Sequence, residues 1–194
     1  MKPITIDDLE LDLAAYGARR ADSRAAAIAL KKTRRIHLGD VVTLVFENRD
    51  TLRHQIQEMV FVEQTTDLAK IGEELDVYNP LMPSPNELSA TLFLEFSDMA
   101  TLKNELPRLA GIEHTFSLTI GGSAVKAVGE EGRSREDYTA TVHYLRFPMT
   151  DEQRDAFRDP SVPAELVVDH PNYSDSTPIP AEMRLSLLAD LALD

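Results

Sequence analysis

A strict alternation of apolar and polar side chains in residues 87–96, ELSATLFLEF, permits little other than a half-buried β-strand. Successive side chains of a strand point to opposite faces, so a period of two buries one face and leaves the other polar. Residues 67–78, DLAKIGEELDVY, instead repeat apolar side chains every three or four positions, which predicts a helix that packs through one stripe. The chain therefore combines strands with amphipathic helices.

The remaining segments are assigned from composition and turn signals. Strands are predicted at 41–47, 114–120, 123–128, 137–147 and 164–170, and helices at about 22–35, 50–64, 98–109 and 181–193. Gly121-Gly122 predicts the turn of a hairpin. Strands that arrive partly as hairpins, with helices inserted between them, are typical of an α+β fold.

These elements predict the architecture of the chain. We expect a single domain, 1–194, with a mixed or mainly antiparallel sheet of about five to six strands and helices packed on one face. Residues 1–36 are predicted to form a helical N-terminal segment, and residues 37–194 the sheet with its inserted helices.

Composition and missing motifs exclude several kinds of chemistry. The chain has no cysteine, which excludes a disulfide, a cysteine-ligated cluster and a cysteine nucleophile. The His-Glu-x-x-His, Walker A, Gly-x-Ser-x-Gly and Gly-x-Gly-x-x-Gly patterns are absent. No apolar run approaches membrane-spanning length, and the N-terminus, MKPITIDDLELDL, is acidic where a signal peptide is basic. We therefore expect a cytoplasmic protein without membrane association.

Basic residues are concentrated in one segment of an otherwise acidic chain, whose net charge is −13. Segment 19–35 contains seven arginines and lysines and a single aspartate. Such a helix either pairs with the protein's own carboxylates or binds an acidic partner, for which we select Arg20, Arg24, Lys31 and Arg35. The acidic remainder would repel a phosphate backbone, so nucleic acid is not expected as a partner.

The polar faces of the predicted strands carry three titratable side chains, Glu47, Glu95 and His143. If their strands are neighbours, these side chains converge in a shallow pocket that could bind a metal or act on a substrate. An antiparallel sheet with one wet face gives the same pattern without any function. The small hydroxyl residues assigned to this face are Thr43, Ser89, Thr91, Thr115, Ser117, Thr119, Thr139 and Thr141.

The predicted helix at 50–64 supplies a second candidate site. His54 and Glu58 are four residues apart and therefore share a flank of the helix, where such a pair can ligate a metal or act as acid and base. Glu58 is our first choice among the candidates. The alternative is a structural ion pair of Glu58 with Arg35 or Arg146.

Four segments carry a resemblance to a known family: RRIHLGDVVTLVFENRDTLRHQIQEM, YNPLMPSPNELSATLFLEF, VHYLRFPMT and VVDHPNY. Together they resemble the bacterial domain of unknown function numbered 3501 over nearly the whole chain. That family has no assigned activity or catalytic residue. Its genes often stand beside those of rubrerythrin-like and iron–sulfur oxidoreductase proteins, which implies a redox or peroxide-stress setting. Because this chain has no cysteine, any cluster would belong to a partner.

Two functional hypotheses follow. The first is an accessory or binding protein of a bacterial redox system, which recognises its partner through the basic helix. The second is an enzyme or metal-binding protein that uses the carboxylates and histidines on the sheet face or in segment 46–63. The cofactor, if there is one, is not predicted.

Overall fold

The computed structural model describes residues 1–130, 132–135 and 138–191 and confirms the α+β fold. Within these residues there are six α-helices and three antiparallel sheets. The helices are α1 (Leu13–Lys32), α2 (Arg49–Val62), α3 (Leu68–Tyr78), α4 (Met99–Glu105), α5 (Asp151–Arg158) and α6 (Ala181–Leu191). The strands are β1 (Arg35–Leu38), β2 (Val42–Glu47), β3 (Glu87–Leu94), β4 (Phe116–Ile120), β5 (Ser123–Lys126), β6 (Val128–Gly129), β7 (Ser134–Arg135), β8 (Tyr138–Thr139), β9 (Val142–Pro148), β10 (Ala164–His170) and β11 (Tyr173–Pro178).

The strands are divided among sheets rather than collected in one. The first sheet has five strands in the order β1-β2-β3-β9-β6, and the second has four in the order β11-β10-β4-β5. Strands β7 and β8 pair with each other. The alternation correctly places Leu88, Ala90, Leu92 and Leu94 of β3 in the apolar core, but Ser89 and Thr91 on the opposite face are buried as well. It contains no information on which strands pair. The inner faces of the two larger sheets share one apolar core, to which Leu92, Leu145, Leu118 and Leu166 contribute.

A second apolar cluster lies between α2, α3 and the N-terminal residues. Ile56 and Val60 of α2 are fully buried in it together with Ile71 of α3. The extended N-terminal residues Ile4 and Leu9 complete the cluster. The apolar stripe of α3 therefore packs as its period of 3.6 predicts.

Helix α1 extends further towards the N-terminus than the sequence predicts. It begins at Leu13, because the side chain of Asp12 accepts hydrogen bonds from the N–H groups of Ala14 and Ala15, both at 3.0 Å. It ends at Lys32, because the following residues enter β1, a strand that the sequence analysis does not predict. Only Tyr16 of this helix is buried, so α1 is held to the protein through its first half.

The turn between β1 and β2 requires glycine. Gly39 has a φ of +60°, a left-handed conformation that glycine adopts without strain. A Cβ atom at this position would also lie 2.5 Å from the hydroxyl oxygen of Tyr173. That hydroxyl donates a hydrogen bond to the carbonyl of Leu38, which brings β11 of the second sheet beside β1 of the first.

Arg34 is the largest fully buried polar side chain and joins three elements. Its side chain is 1% exposed and forms an ion pair with Asp190 of α6, which is 5% exposed. Its Nε donates to the carbonyl of Phe46 at 2.8 Å, and one Nη donates to the carbonyl of Glu47 at 3.2 Å. The other Nη donates to Ser186 Oγ at 3.0 Å. The guanidinium thus fixes the end of β2 against α6.

Replacing Arg34 with Met should destabilise the fold by about 3–5 kcal/mol, because the Asp190 carboxylate would remain buried without its cation. Chemical denaturation at neutral pH measures the loss. The matched control is Arg35→Met at the adjacent, exposed position, where we expect almost no change. Equal effects of the two substitutions would show that the buried ion pair contributes nothing to the fold.

Candidate functional site

Glu58, our first-choice site residue, joins α2 to α1. Its carboxylate accepts hydrogen bonds from Arg20 Nη2 at 2.8 Å and Nε at 3.0 Å, and from the Tyr16 hydroxyl at 2.8 Å. The Arg20 guanidinium, assisted by Tyr16, lowers the pKa of Glu58 from 4.5 to about 2. The structure therefore favours the structural ion pair, with Arg20 as the cation instead of the expected Arg35 or Arg146.

His54 lies one turn before Glu58 and faces the space between the two helices. Its Nδ1 lies 3.4 Å from Ser23 Oγ, and burial lowers the pKa of its imidazole. It lines a cleft of about 530 Å³ between α1 and α2, together with Tyr16, Asp22 and Arg53. The cleft is open and contains charges of both signs, and Glu58 is not among its lining residues.

The hydroxyl-lined face of the first sheet is covered along β2 and much of β3, whereas at the β9 edge Ser89 lines a hollow of about 280 Å³ together with Tyr144 and Arg146. Glu47 is 2% exposed, and its carboxylate accepts hydrogen bonds from Thr91 at 2.7 Å and from Thr51 of α2. Thr43 and Ser89 on the same face are also buried. Thr51, in the first turn of α2, reaches this face through Glu47, so the buried polar side chains there pair with one another in place of water.

The three titratable groups assigned to this face do not converge, so that prediction is wrong. Glu47 is opposite Ser89 in the register of β2 and β3, whereas Glu95 follows the far end of β3, is exposed and accepts from Thr43. His143 is opposite Leu92 and therefore points to the apolar face. His143 is two and four residues before Leu145 and Phe147, so the alternation along β9 places all three side chains on the same, apolar face.

His143 is instead part of a buried network that the sequence analysis missed. Its Nε2 lies 2.8 Å from the carbonyl of Ala140 and 2.9 Å from Thr139 Oγ1, while its Nδ1 faces the carboxylate of Glu113 at 3.8 Å. Burial lowers the pKa of His143. Ser134 donates to the same carboxylate at 2.7 Å, so the network holds the paired strands β7 and β8 against the start of β9. Glu113 could not be selected from the sequence, because no motif or periodicity includes it.

These positions also bear on the metal-binding hypothesis. Among residues 1–130, 132–135 and 138–191, no group of three or more His, Cys, Asp or Glu side chains is arranged to hold a metal ion. The five candidate metal ligands lie in different parts of the structure. On α2, His54 lines the interhelical cleft and Glu58 pairs with Arg20. Glu47 lies on the covered sheet face, Glu95 follows the end of β3, and His143 is in the core.

The second half of α1 and the first residue of β1 form an exposed basic surface that we term the α1 ridge: Arg24, Ile28, Lys31, Lys32 and Arg35. The apolar member of the ridge, Ile28, is 67% exposed. Four of these residues, with His37 of β1, line a hollow of about 350 Å³. In the described part of the chain, none of the four cations of the ridge forms an ion pair. Of the four residues selected for partner binding, Arg24, Lys31 and Arg35 lie on the ridge, and Arg20 is held by Glu58.

The fold and these surfaces define an α+β protein with buried polar networks and an exposed basic surface on α1 and the start of β1. No described helix combines the length and the apolar character that crossing a membrane requires. The chain belongs to the family described as protein of unknown function DUF3501, whose model matches residues 3–191. The resemblance seen in the sequence is thereby confirmed.

One solved structure is closely similar. It is the crystal structure of a novel protein of unknown function from Burkholderia pseudomallei K96243, at 1.90 Å resolution. The two chains are 34% identical, the match covers 98% of this chain and 100% of that one, and the TM-score is 0.90. No curated protein matches the chain.

Replacing Glu58 with Gln should destabilise the protein by about 1–2 kcal/mol, because both partners keep some contact with solvent and the ion pair is partly screened. Because folding lowers the pKa of Glu58 from 4.5 to about 2, this contribution is present above pH 4.5 and is lost as the pH falls towards 2. Denaturation at several pH values measures both effects.

The matched control for this prediction is Glu63→Gln, which removes an exposed carboxylate at the end of the same helix. Its stability should equal that of the wild type at every pH. If Glu58→Gln is as stable as this control at neutral pH, Glu58 does not anchor α1.

Proposed function

We propose that this chain is a cytoplasmic accessory protein that binds an acidic protein partner through the α1 ridge. The observation that carries the proposal is the gathering of Arg24, Lys31, Lys32 and Arg35 around the exposed Ile28. A ridge of this composition offers both parts of a protein interface, an apolar centre and a charged rim.

The charge balance of the chain makes the ridge unusual. With 33 acidic and 20 basic side chains, the protein has ample carboxylates for pairing. Arginines elsewhere in the chain form ion pairs with these carboxylates: Arg19 pairs with Glu10, and Arg49 pairs with Asp8. Four neighbouring cations without such partners repel one another, and an acidic surface placed against them would relieve that repulsion.

The form of α1 also suits partner binding. Tyr16 and the Arg20–Glu58 pair attach its first half to α2, whereas no side chain after Tyr16 is buried. The ridge is therefore carried by a helix that Tyr16 and Arg20 anchor in its first half and the buried Arg34 anchors just past its end, with several turns of accessible side chains between them. Preorganisation of this kind lowers the entropic cost of binding.

The partner class follows from the family resemblance. A redox or peroxide-stress setting makes rubrerythrin-like and iron–sulfur proteins with acidic surfaces the partners to test first. This chain has no cysteine of its own, and in this proposal the partner carries the redox centre. The role of the chain would be to bind or position that partner.

The test reverses three charges of the ridge, in the triple variant Arg24→Glu, Lys31→Glu and Arg35→Glu. Binding to a purified rubrerythrin-like protein with an acidic surface, measured by surface plasmon resonance, should weaken at least ~10-fold at low salt. Wild-type binding should itself weaken as salt rises, because exposed charges are screened within ~10 Å at 0.1 M salt.

The matched control reverses three exposed lysines outside the ridge, Lys70, Lys103 and Lys126, and changes the net charge by the same amount. It should bind almost as the wild type does, apart from a small general effect of net charge. Equal losses in the two triple variants would mean that overall charge governs the association. Binding that survives reversal of the ridge would exclude the ridge as the contact.

A further inference from the structure

A second candidate site lies on residues that the proposed function does not use. A groove of about 590 Å³ runs between the loop after α5 and the start of α6. Its walls are mostly apolar and include Val162, Ile179, Leu185 and Leu188. Leu185 is 71% exposed, the largest exposed fraction among the large hydrophobic side chains that are exposed. A groove of this size falls within the range of small-molecule sites.

The base of the groove contains a buried cation without a carboxylate partner in the described residues. Arg184 is 8% exposed and lines the groove. Its guanidinium donates to four backbone carbonyls: those of Phe157 and Val162 at 2.7 Å, of Asp159 at 2.8 Å and of Ala156 at 3.1 Å. A guanidinium has five N–H donors, so one N–H, on Nη1, remains for a further acceptor.

The carbonyls compensate only part of this charge. They lie at or just beyond the C-terminal end of α5, and a helix terminus carries about half an elementary charge. The nearest acidic group is Asp159, whose carboxylate accepts hydrogen bonds from Ser161. Burial lowers the pKa of Arg184, although a guanidinium remains charged at neutral pH. Asp159 and Arg184 interact at longer range, so what the groove offers an anion is the remaining N–H donor of a buried cation and not an excess of positive charge.

The N-terminus of α6 adds to the same field. Helix α6 begins at Ala181, which lines the groove, and Pro180 before it has no side-chain acceptor to cap the first turn. The positive end of the helix dipole and the uncapped N–H groups therefore lie beside Arg184. Two further charged groups are close by: Glu182 is exposed in the first turn of α6, and Arg158 at the rim pairs with Asp155.

We propose that this groove binds a small carboxylate with an apolar tail, of the medium-chain fatty-acid type. The carboxylate would accept the remaining N–H of Arg184, and the tail would lie along Leu185, Leu188 and Val162. An uncharged apolar molecule would leave the guanidinium without its acceptor, and a short polar anion would leave the apolar walls in contact with water. Only a ligand with both parts satisfies both features of the groove.

Isothermal titration of the full chain with decanoate, below its micelle-forming concentration, tests the proposal. We expect one site per chain, with an affinity that rises from hexanoate to decanoate by up to about fourfold per methylene. Decanol has the same tail without the charge and should bind at least ~10-fold more weakly. Equal affinities of decanol and decanoate, or no binding of decanoate, would overturn the proposal.

Substitutions at two exposed leucines, one in the groove and one far from it in the sequence, test where the ligand binds. Leu185→Glu places a carboxylate on the apolar wall and should lower the affinity for decanoate at least ~10-fold, since it removes apolar contact and repels the head group. Leu68→Glu, at a leucine of α3 that is 54% exposed, is the matched control and should leave binding unchanged. If both variants bind decanoate as the wild type does, the ligand lies elsewhere and the groove is not its site.

Discussion

Burial of the Arg34 guanidinium is the constraint on which much of the structure depends. A cation that has lost its contact with water needs an acceptor for its N–H groups and a countercharge, and the fold supplies them from β2 and α6. Asn48, which caps α2 at the end of β2, also donates to Asp190 at 3.4 Å. One buried ion pair thus fixes the end of α1, the start of α2 and the end of α6 relative to one another. The cleft and the ridge take their positions from this arrangement.

The local part of the fold could be predicted from the sequence, because hydrophobic period depends only on neighbours along the chain. The buried face of β3 and the stripe of α3 are in place as predicted. Strand pairing is a property of distant segments, and for this reason one predicted sheet became two. The error at His143 is different in kind: its parity with Leu145 was present in the sequence and would have placed it in the core.

The ion pairs of the candidate site, like the pairing of strands, join segments that are distant in the sequence. The spacing of His54 and Glu58 predicted a shared flank of one helix, and the structure adds the hydrogen bonds of Glu58 to Tyr16 and Arg20. The identity of its cation could not be predicted, because a carboxylate on α2 can be reached by any arginine that folding brings near. Segment 19–35 was identified as basic from composition, but only the structure separates Arg20, which is paired, from Arg24, which is not.

This separation of paired from unpaired cations gives the two proposed sites a common physical basis. Most arginines of the described residues form an ion pair, so pairing of an arginine carries little information about function, whereas no lysine of these residues forms one. A single exposed lysine without a partner is equally uninformative, because water solvates it. The informative cases are cations that are clustered, as on the α1 ridge, or buried beside an apolar surface, as Arg184 is. On the ridge the cations repel one another, and in the groove burial leaves Arg184 one N–H donor without an acceptor; an external anion would relieve either condition.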